Sequence, residues 1–579
     1  MSSRSDTTGR AHSRWLILLI VSLPVFIGAL DLTIISAVLP EVIVSLNLPI
    51  KEYLDQASWA VSGYLLAYAI SMTFTGRLSD LIGRRTVYIT CLAIFMLGSY
   101  LVTAYDSTLL NGWIARFYNV VLEQRPPRLE ERHLYLVIFA RVVQAIGAGA
   151  MVPVTLALVG DMFPAAKRAK PLGVIGAVDT LGWVLGHLYG GVMVRTFGQH
   201  GDAIVQAARN IGLSISPPNW ETLFLLNIPV SLIALVGAWW VLKGIPQRRI
   251  TGRFDIIGTL LIALALVGLN LGLGTSPEAA VTATDFDTLE QAGSGLNVAF
   301  LVFGAIAFLL FLLVESRVRS PLIRLSMFRS RNFSSASATN LLVGYCLAIG
   351  LVSAPLLVNF RVDSPTSDQI QEAAYTAGLL LSGLTVPMAV AAIPGGWLSD
   401  RFGYRWPTAT GLLLASIGFL LTGTTWDTDT SYWTMGGHMM LIGVGLDLTI
   451  SPITTAALND VHEDERGIAA GLILNLRLVG MTVAISSLTI YSLSRFDELV
   501  ARYQASETSD MVQTAVDASL SAAMKVINEM QLIGAAVAIA AFACALLLRG
   551  GRSAASASSE MAPRAYTHRP ASAPRSPDD

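Results

Sequence analysis

Long apolar runs alternate along the chain with short connections that hold most of its charge. Fourteen such runs can be read, at 15–39, 56–75, 86–105, 134–158, 171–194, 222–242, 256–274, 296–314, 334–358, 375–398, 407–425, 433–458, 467–490 and 531–548. Each has roughly the 17–25 residues with which an α-helix crosses a bilayer. The runs are continuous in hydrophobicity and about twice as long as a barrel strand needs, which excludes a β-barrel. Arg4, Arg10 and Arg14 precede the first run, as in a signal peptide. That run exceeds a signal core and no small-residue cleavage site closes it, so it is read as a retained span. The expected fold is an all-α integral membrane protein with 14 transmembrane helices.

One polar connection occurs twice. Gly76-Arg77-Leu78-Ser79-Asp80-Leu81-Ile82-Gly83-Arg84-Arg85 follows the second run, and Gly396-Trp397-Leu398-Ser399-Asp400-Arg401-Phe402-Gly403-Tyr404-Arg405 follows the tenth. Six of the ten positions are identical, at an offset of 320 residues. Ile146-Gly147-Ala148-Gly149 in the fourth run parallels Ile442-Gly443-Val444-Gly445 in the twelfth, each with a proline beyond, Pro153 and Pro452. Both matches fit two six-helix repeats around a central cavity, with two helices inserted between them (6+2+6), a recurrent transporter plan. The expected parts are a cytoplasmic N-terminus at 1–14, a bundle at 15–242, inserted helices at 256–314, a second bundle at 334–548 with a long outer loop at 491–530, and a disordered cytoplasmic tail at 549–579.

The distribution of charge orients this plan. Of 39 Lys and Arg, 26 fall in the two terminal segments and the loops after even-numbered runs, and 11 in the opposite loops. Basic residues are retained in the cytoplasm, so both termini and both copies of the repeated loop are expected there, in a multi-pass protein of the cell membrane. The acidic loop 275–294, with no basic residue, fits the outer side. The outer connections 106–133, 195–221 and 491–530 are long, and parts of them could be amphipathic surface helices. Composition agrees: 53% of residues are hydrophobic and only 14% charged. A net charge of −1 argues against nucleic acid. Cys91, Cys346 and Cys544 lie in apolar runs and imply no disulfide framework. None of the five lysines sits in a phosphate-binding glycine loop, so ATP is not expected as a partner. The seven histidines show no metal-ligand spacing, and no cofactor, metal or enzymatic activity is expected.

Charges inside a span are costly in lipid and normally face a cavity or a partner. Asp31 lies about 24 Å along its outward-running helix, and Arg141 about 10 Å into its inward-running one. In a core about 30 Å thick these depths agree to within a turn, so the two are expected to meet or to share a cavity. Asp31 could then bind a proton or cation with Arg141 tuning it, or the two could form a structural ion pair joining spans one and four. In span five Gly176, Asp179, Trp183, Gly186, His187 and Gly190 share one side of the helix, with Gly191 beside them. The glycines suit close helix packing, and Asp179 and His187 add titratable groups to that seam. Asp447 and Arg477 form the mirror case near the inner face, as a second gate or a locking ion pair. Trp59, Tyr64, Tyr68 and Trp183 could stack on a lipophilic cation or serve as interface anchors. The repeated loop has a different task. Gly76, Gly83, Gly396 and Gly403 permit tight turns, while Asp80 and Asp400 can cap helices and pair with Arg84, Arg85 and Arg405. It is read as a conformational latch.

These words resemble a known family. The Gly-x-Leu-x-Asp-x-x-Gly-x-Arg loops look like the cytoplasmic signature of the major facilitator superfamily. Asp31-Leu-Thr-Ile-Ile-Ser-Ala-Val-Leu-Pro40 resembles the first-span motif of its fourteen-span drug:proton antiporter branch, and Arg141-Val-Val-Gln-Ala-Ile-Gly147 its fourth-span basic motif. Asn227-Ile-Pro229 and Pro321-Leu-Ile with Phe328-Arg-Ser-Arg-Asn-Phe333 sit where that branch has similar words. The likeness spans roughly residues 15–490. One departure is that the fifth-span Gly-Pro-x-x-Gly-Gly of the antiporters reads Gly186-His187-Leu188-Tyr189-Gly190-Gly191 here. The resemblance implies a secondary transporter that exports amphipathic or drug-like molecules, lipophilic or cationic, in exchange for protons by alternating access. The alternatives are a lipid or metabolite carrier with different coupling, and a non-transporting membrane sensor or scaffold.

Overall fold

A computed structural model of the chain describes residues 13–121, 123–210, 217–243, 252–274, 296–361, 367–506 and 511–550. The loop 275–294 and the tail beyond Gly550 lie outside them. The described residues are almost entirely helical: α1 (Arg14–Ser45), α2 (Ile50–Ile82), α3 (Arg84–Thr103), α4 (Thr108–Val120), α5 (Leu129–Met162), α6 (Ala169–Asn210), α7 (Trp220–Leu242), α8 (Ile256–Leu273), α9 (Val298–Glu315), α10 (Arg331–Phe360), α11 (Ser367–Phe402), α12 (Arg405–Thr425), α13 (Tyr432–Asn459), α14 (Arg466–Ser506) and α15 (Met511–Ala545). Helices are what a lipid solvent demands, because each backbone amide finds its partner within its own segment.

Among the described residues, twelve helices are long and apolar enough to cross a membrane. α2 and α6, which the apolar pattern counts among fourteen, are not among the twelve. α2 mixes Ser58, Ser62, Gly63, Tyr64, Tyr68 and Ser71 into its apolar stretch, because much of it faces other helices rather than lipid.

Packing follows a repeated scheme. α2 and α3 lie along α5 and α1 lies along α6, while α11 and α12 lie along α13 and α10 lies along α14. The glycine pairs make this possible. A side chain at Gly147 would stand 2.4 Å from Cys91 O on α3, and one at Gly443 would stand 2.1 Å from Leu384 O on α11. Only a missing Cβ permits such approach, the usual device where helices associate without a hydrophobic drive. Across the middle, α6 packs on α11 and α13, and α14 packs on α2 and α5. α8 and α9 pack chiefly on each other, with α8 also touching α2 and α14.

Two of the long connections differ from the expectation. Residues 195–210 continue α6, and most of 491–530 extends α14 and α15 as a helical hairpin. Hydropathy falls there, but Ala, Arg, Glu and Leu still favour helix. The hairpin is tied by Arg495, whose Nε and Nη2 donate to Glu529 at 3.0 and 3.1 Å, and by Tyr491, whose hydroxyl donates to Glu529 at 2.7 Å. Within 106–133, α4 is amphipathic and exposes Leu109, Trp113 and Phe117.

Candidate functional site

Asp31 and Arg141 meet. Arg141 Nη1 donates to Asp31 Oδ2 at 2.5 Å, and both side chains are fully buried. Gln144 Nε2 and Asn227 Nδ2 donate to the other oxygen at 3.0 and 2.6 Å. Gln144 also donates to Ser99 Oγ at 2.9 Å, and the Arg141 guanidinium lies 4.0 Å from the Tyr64 ring centroid. Side chains of α5 and α7 thus converge on one carboxylate of α1, backed by Ser99 of α3 and Tyr64 of α2. Both of its oxygens are occupied, as in a structural ion pair. Removing one partner of such a pair costs about 3–5 kcal/mol, because the other charge is left buried alone.

Asp179, Asp447 and Arg477 come together at the seam between α6, α13 and α14. Here the arrangement corrects the expected pairing of Asp447 with Arg477. Arg477 Nη2 lies 3.6 Å from Asp179 Oδ2 instead, and no salt bridge joins it to Asp447 among the described residues. Asp447 accepts from Thr180 Oγ1 at 3.3 Å and stays within electrostatic reach of Arg477 and Asp179. The two acids therefore face one cation from helices far apart in sequence. One oxygen of each, Asp179 Oδ1 and Asp447 Oδ1, is buried without a hydrogen-bond partner among the described residues. An unsatisfied carboxylate oxygen is an open position for a proton. Trp183, one turn beyond Asp179, borders an apolar groove lined by Leu65, Leu266, Leu269, Leu478 and Met481.

The repeated loops sit together at one end of the molecule, and each reaches across the seam. Gly83 and Gly403 adopt φ of 104° and 83°, the left-handed region a turn between two helices requires. Asp80 pairs with Arg84 at 2.8 Å, and Arg84 Nε donates to Asp161 at 2.5 Å. Asp161 also accepts from Arg466 Nη1 at 3.2 Å. Asp80 faces the first turn of α14, where a side chain on Gly467 would lie 2.9 Å from its carboxylate. Asp400 does the same for α6: its oxygens accept from Ala169 N at 3.0 Å and Lys170 N at 3.1 Å. Each loop thus brings a negative charge to the positive end of a helix from the opposite group. Asp400 forms no salt bridge with Arg405 among the described residues; the Arg405 guanidinium lies over Trp406, and that of Arg85 over Trp239. Arg168 joins the same seam, donating to Asn459 and to Gly160 O, which also accepts from Arg466. Burial, and then the neighbouring Arg466 charge, push its pKa down to about 10.

The glycine face of α6 serves different neighbours along its length. Gly186 presses on Leu30 O of α1, whereas Gly176 faces Ile450 and Ala392. Gly190 is buried, and the side-chain positions of His187 and Gly191 lie outside the described residues. Sequence reading passed over the amides. Gln144 follows Arg141 by three residues on the same helix face, which is the signal that could have found it. Asn227 stood only within a family-like word. Arg466, Asp161 and Asn459 carried no local signal, because their partners lie far away in the chain.

The geometry can be set beside known proteins. A family model described as Major Facilitator Superfamily matches residues 21–485. A triacylglyceride transporter of Mycobacteroides abscessus is 30% identical over 485 residues, which is 82% of each chain. A triacylglyceride transporter of Mycobacterium tuberculosis is 30% identical over 492 residues, 83% of each chain. Among solved structures, a proton:xylose symporter superposes with a TM-score of 0.52 at 15% identity, covering 90% of this chain and 94% of that one. The human organic anion transporter MFSD10 superposes with a TM-score of 0.51 at 14% identity, covering 90% and 99%. These two likenesses concern the fold alone. By the family match, by the identity to its relatives and by this fold, the chain is a multi-pass membrane transporter, not an enzyme, and belongs to the Major Facilitator Superfamily.

Proposed function

We propose that the protein is a proton-driven lipid carrier, moving long-chain acyl lipids of the triacylglyceride class across the cell membrane by alternating access. The observation that carries this reading is the chemistry of the seam. Asp179, Asp447 and Arg477 form a partly unsatisfied acid–base cluster between the two helix groups, and an apolar groove adjoins it. Protonation of either acid weakens its attraction for Arg477, so the cluster changes its hold as protons arrive and leave. In this account Asp31 and Arg141 brace one helix group and leave proton binding to the seam. The names of the relatives favour a lipid as cargo over the cationic drugs that the sequence motifs suggest.

The arrangement is read as fourteen spans, six plus two plus six, with α8 and α9 as the insert. The latch end and both termini are placed in the cytoplasm on the count of basic residues. The cytoplasmic side is then the closed one in this structure, since Gly76 abuts Gly467 and Asp400 caps α6 there.

The test is transfer from proteoliposomes of a fluorescent triacylglyceride and, separately, of a lipophilic cationic dye. Protein-dependent transfer of the lipid, sensitive to a protonophore, is expected. Transfer of the dye alone would overturn the lipid reading in favour of drug export, and transfer of neither would favour a sensor or scaffold.

A further inference from the structure

We propose that the groove between α2, α8 and α14 is a seat for one acyl chain reached from the bilayer, with the inserted helix α8 as its outer wall. The proposal rests on the lipid-carrier reading and adds to it a site and a task for the insert.

Three observations lead there. First, the groove lies at the depth of the bilayer interior. Leu266 and Leu269 come roughly 15–20 Å along α8, and Leu478 about 18 Å along α14, at 1.5 Å per residue. Second, its walls are mostly hydrocarbon: Leu65 from α2, Leu266 and Leu269 from α8, Leu478 and Met481 from α14. Apolar cavities of this kind stay dry and accept apolar guests. Three polar side chains also line it: Asn475 and Thr482 on α14, with the Asn475 amide nitrogen already donating to α2, and Asn270 on α8, whose amide can donate to an ester carbonyl. Third, the outer wall is continuous with the lipid-facing surface. α8 exposes Ile256, Ile257 and Leu260, so a chain passing around α8 never leaves an apolar environment.

The seat is also placed to respond to the state of the transporter. α2 and α14 are fastened across the seam by Asn475 Nδ2, which donates to Ala69 O at 2.9 Å and to Thr73 Oγ1 at 2.6 Å. α8 is tied to α14 by Ser486 Oγ, which donates to Leu273 O at 3.3 Å. Any motion that parts α2 from α14 therefore reshapes the groove between them. Trp183, one turn from Asp179 on α6, lines the groove, so an occupied groove adjoins the helix that carries the charged cluster.

The experiment uses the full-length protein in lipid nanodiscs and a triacylglyceride carrying a photoactivatable diazirine near the end of one acyl chain. A diazirine phospholipid serves as the bulk-lipid reference, and labelled peptides are mapped after irradiation. Labelling of 256–273 and of the α14 segment around Leu478 by the triacylglyceride, above the reference, is expected. Leu269→Trp, which fills the groove, should abolish that excess, whereas Ile257→Trp on the lipid-facing side should leave it intact. Leu266→Ala, which widens the groove, should retain the excess. If the triacylglyceride labels the protein elsewhere, or Leu269→Trp and Ile257→Trp label alike, the seat is refuted while lipid binding stands. If no peptide is labelled above the reference, the lipid-carrier reading falls and the seat with it.

Discussion

A methyl group at Gly76 is the sharpest perturbation of the latch. In the structure a Cβ at this position would lie 2.2 Å from Gly467 O, which is 1.2 Å inside the 3.4 Å where ordinary contact begins. The obstacle is backbone on α14, not the end of a flexible side chain, so relief requires α2 and α14 to separate by about that distance. Overpacking of this kind costs about 1–3 kcal/mol. On the alternating-access reading α2 and α14 part when the latch end opens, so the cost falls on the shut state. Gly76→Ala should then shift the population toward the open state by roughly 5- to 150-fold. The assay is the rate at which a water-soluble maleimide modifies Met72→Cys, buried one turn above the contact, in a background lacking Cys91, Cys346 and Cys544. Gly436→Ala is the control, since nothing lies within 4 Å of a Cβ there. An unchanged rate in a folded Gly76→Ala protein, or equal acceleration by Gly436→Ala, would refute the reasoning.

Three further outcomes are expected. Asp400→Asn weakens the cap on α6, and amide exchange at Ala169 and Lys170 should accelerate roughly 2- to 30-fold, as for a cap worth about 0.5–2 kcal/mol; equal exchange would remove Asp400 from the latch. Arg141→Met should destabilise the protein by about 3–5 kcal/mol in thermal unfolding, with much of the loss recovered in the double variant carrying Asp31→Asn. A single variant as stable as the parent would show that the pair braces nothing. Glu529→Gln should speed proteolysis of the α14–α15 hairpin but cost less than about 1 kcal/mol overall, since the pair is partly exposed; a large fall in the unfolding midpoint would contradict a local role.

Depth was legible in the sequence, whereas azimuth was not. Rise per residue set Asp31 and Arg141 at one level in antiparallel helices, and the structure brings them into contact. The same arithmetic set Asp447 near Arg477 but could not say that Asp179 of α6 stands closer to that guanidinium. Depth counts residues along one helix, while the choice of neighbour depends on which helices flank it. The repeated loop announced itself through identical residues, and its turns follow from Gly83 and Gly403. Its partner Ala169 left no trace, because a backbone amide as partner asks almost nothing of sequence, and Gly467 shows only as one glycine among many. Helix ends were the weakest reading. Apolarity marks where lipid ends, and α14 and α15 continue well past that point on helix propensity and the Arg495–Glu529 tie.

The central claim is that protons act on lipid movement through the seam cluster. It is tested most directly by triacylglyceride transfer in proteoliposomes with and without an imposed proton gradient, comparing the parent protein with Asp179→Asn. The account predicts that the gradient accelerates transfer by the parent, and that Asp179→Asn still binds the lipid but transfers it at one rate in both conditions. A full response to the gradient in Asp179→Asn would contradict it.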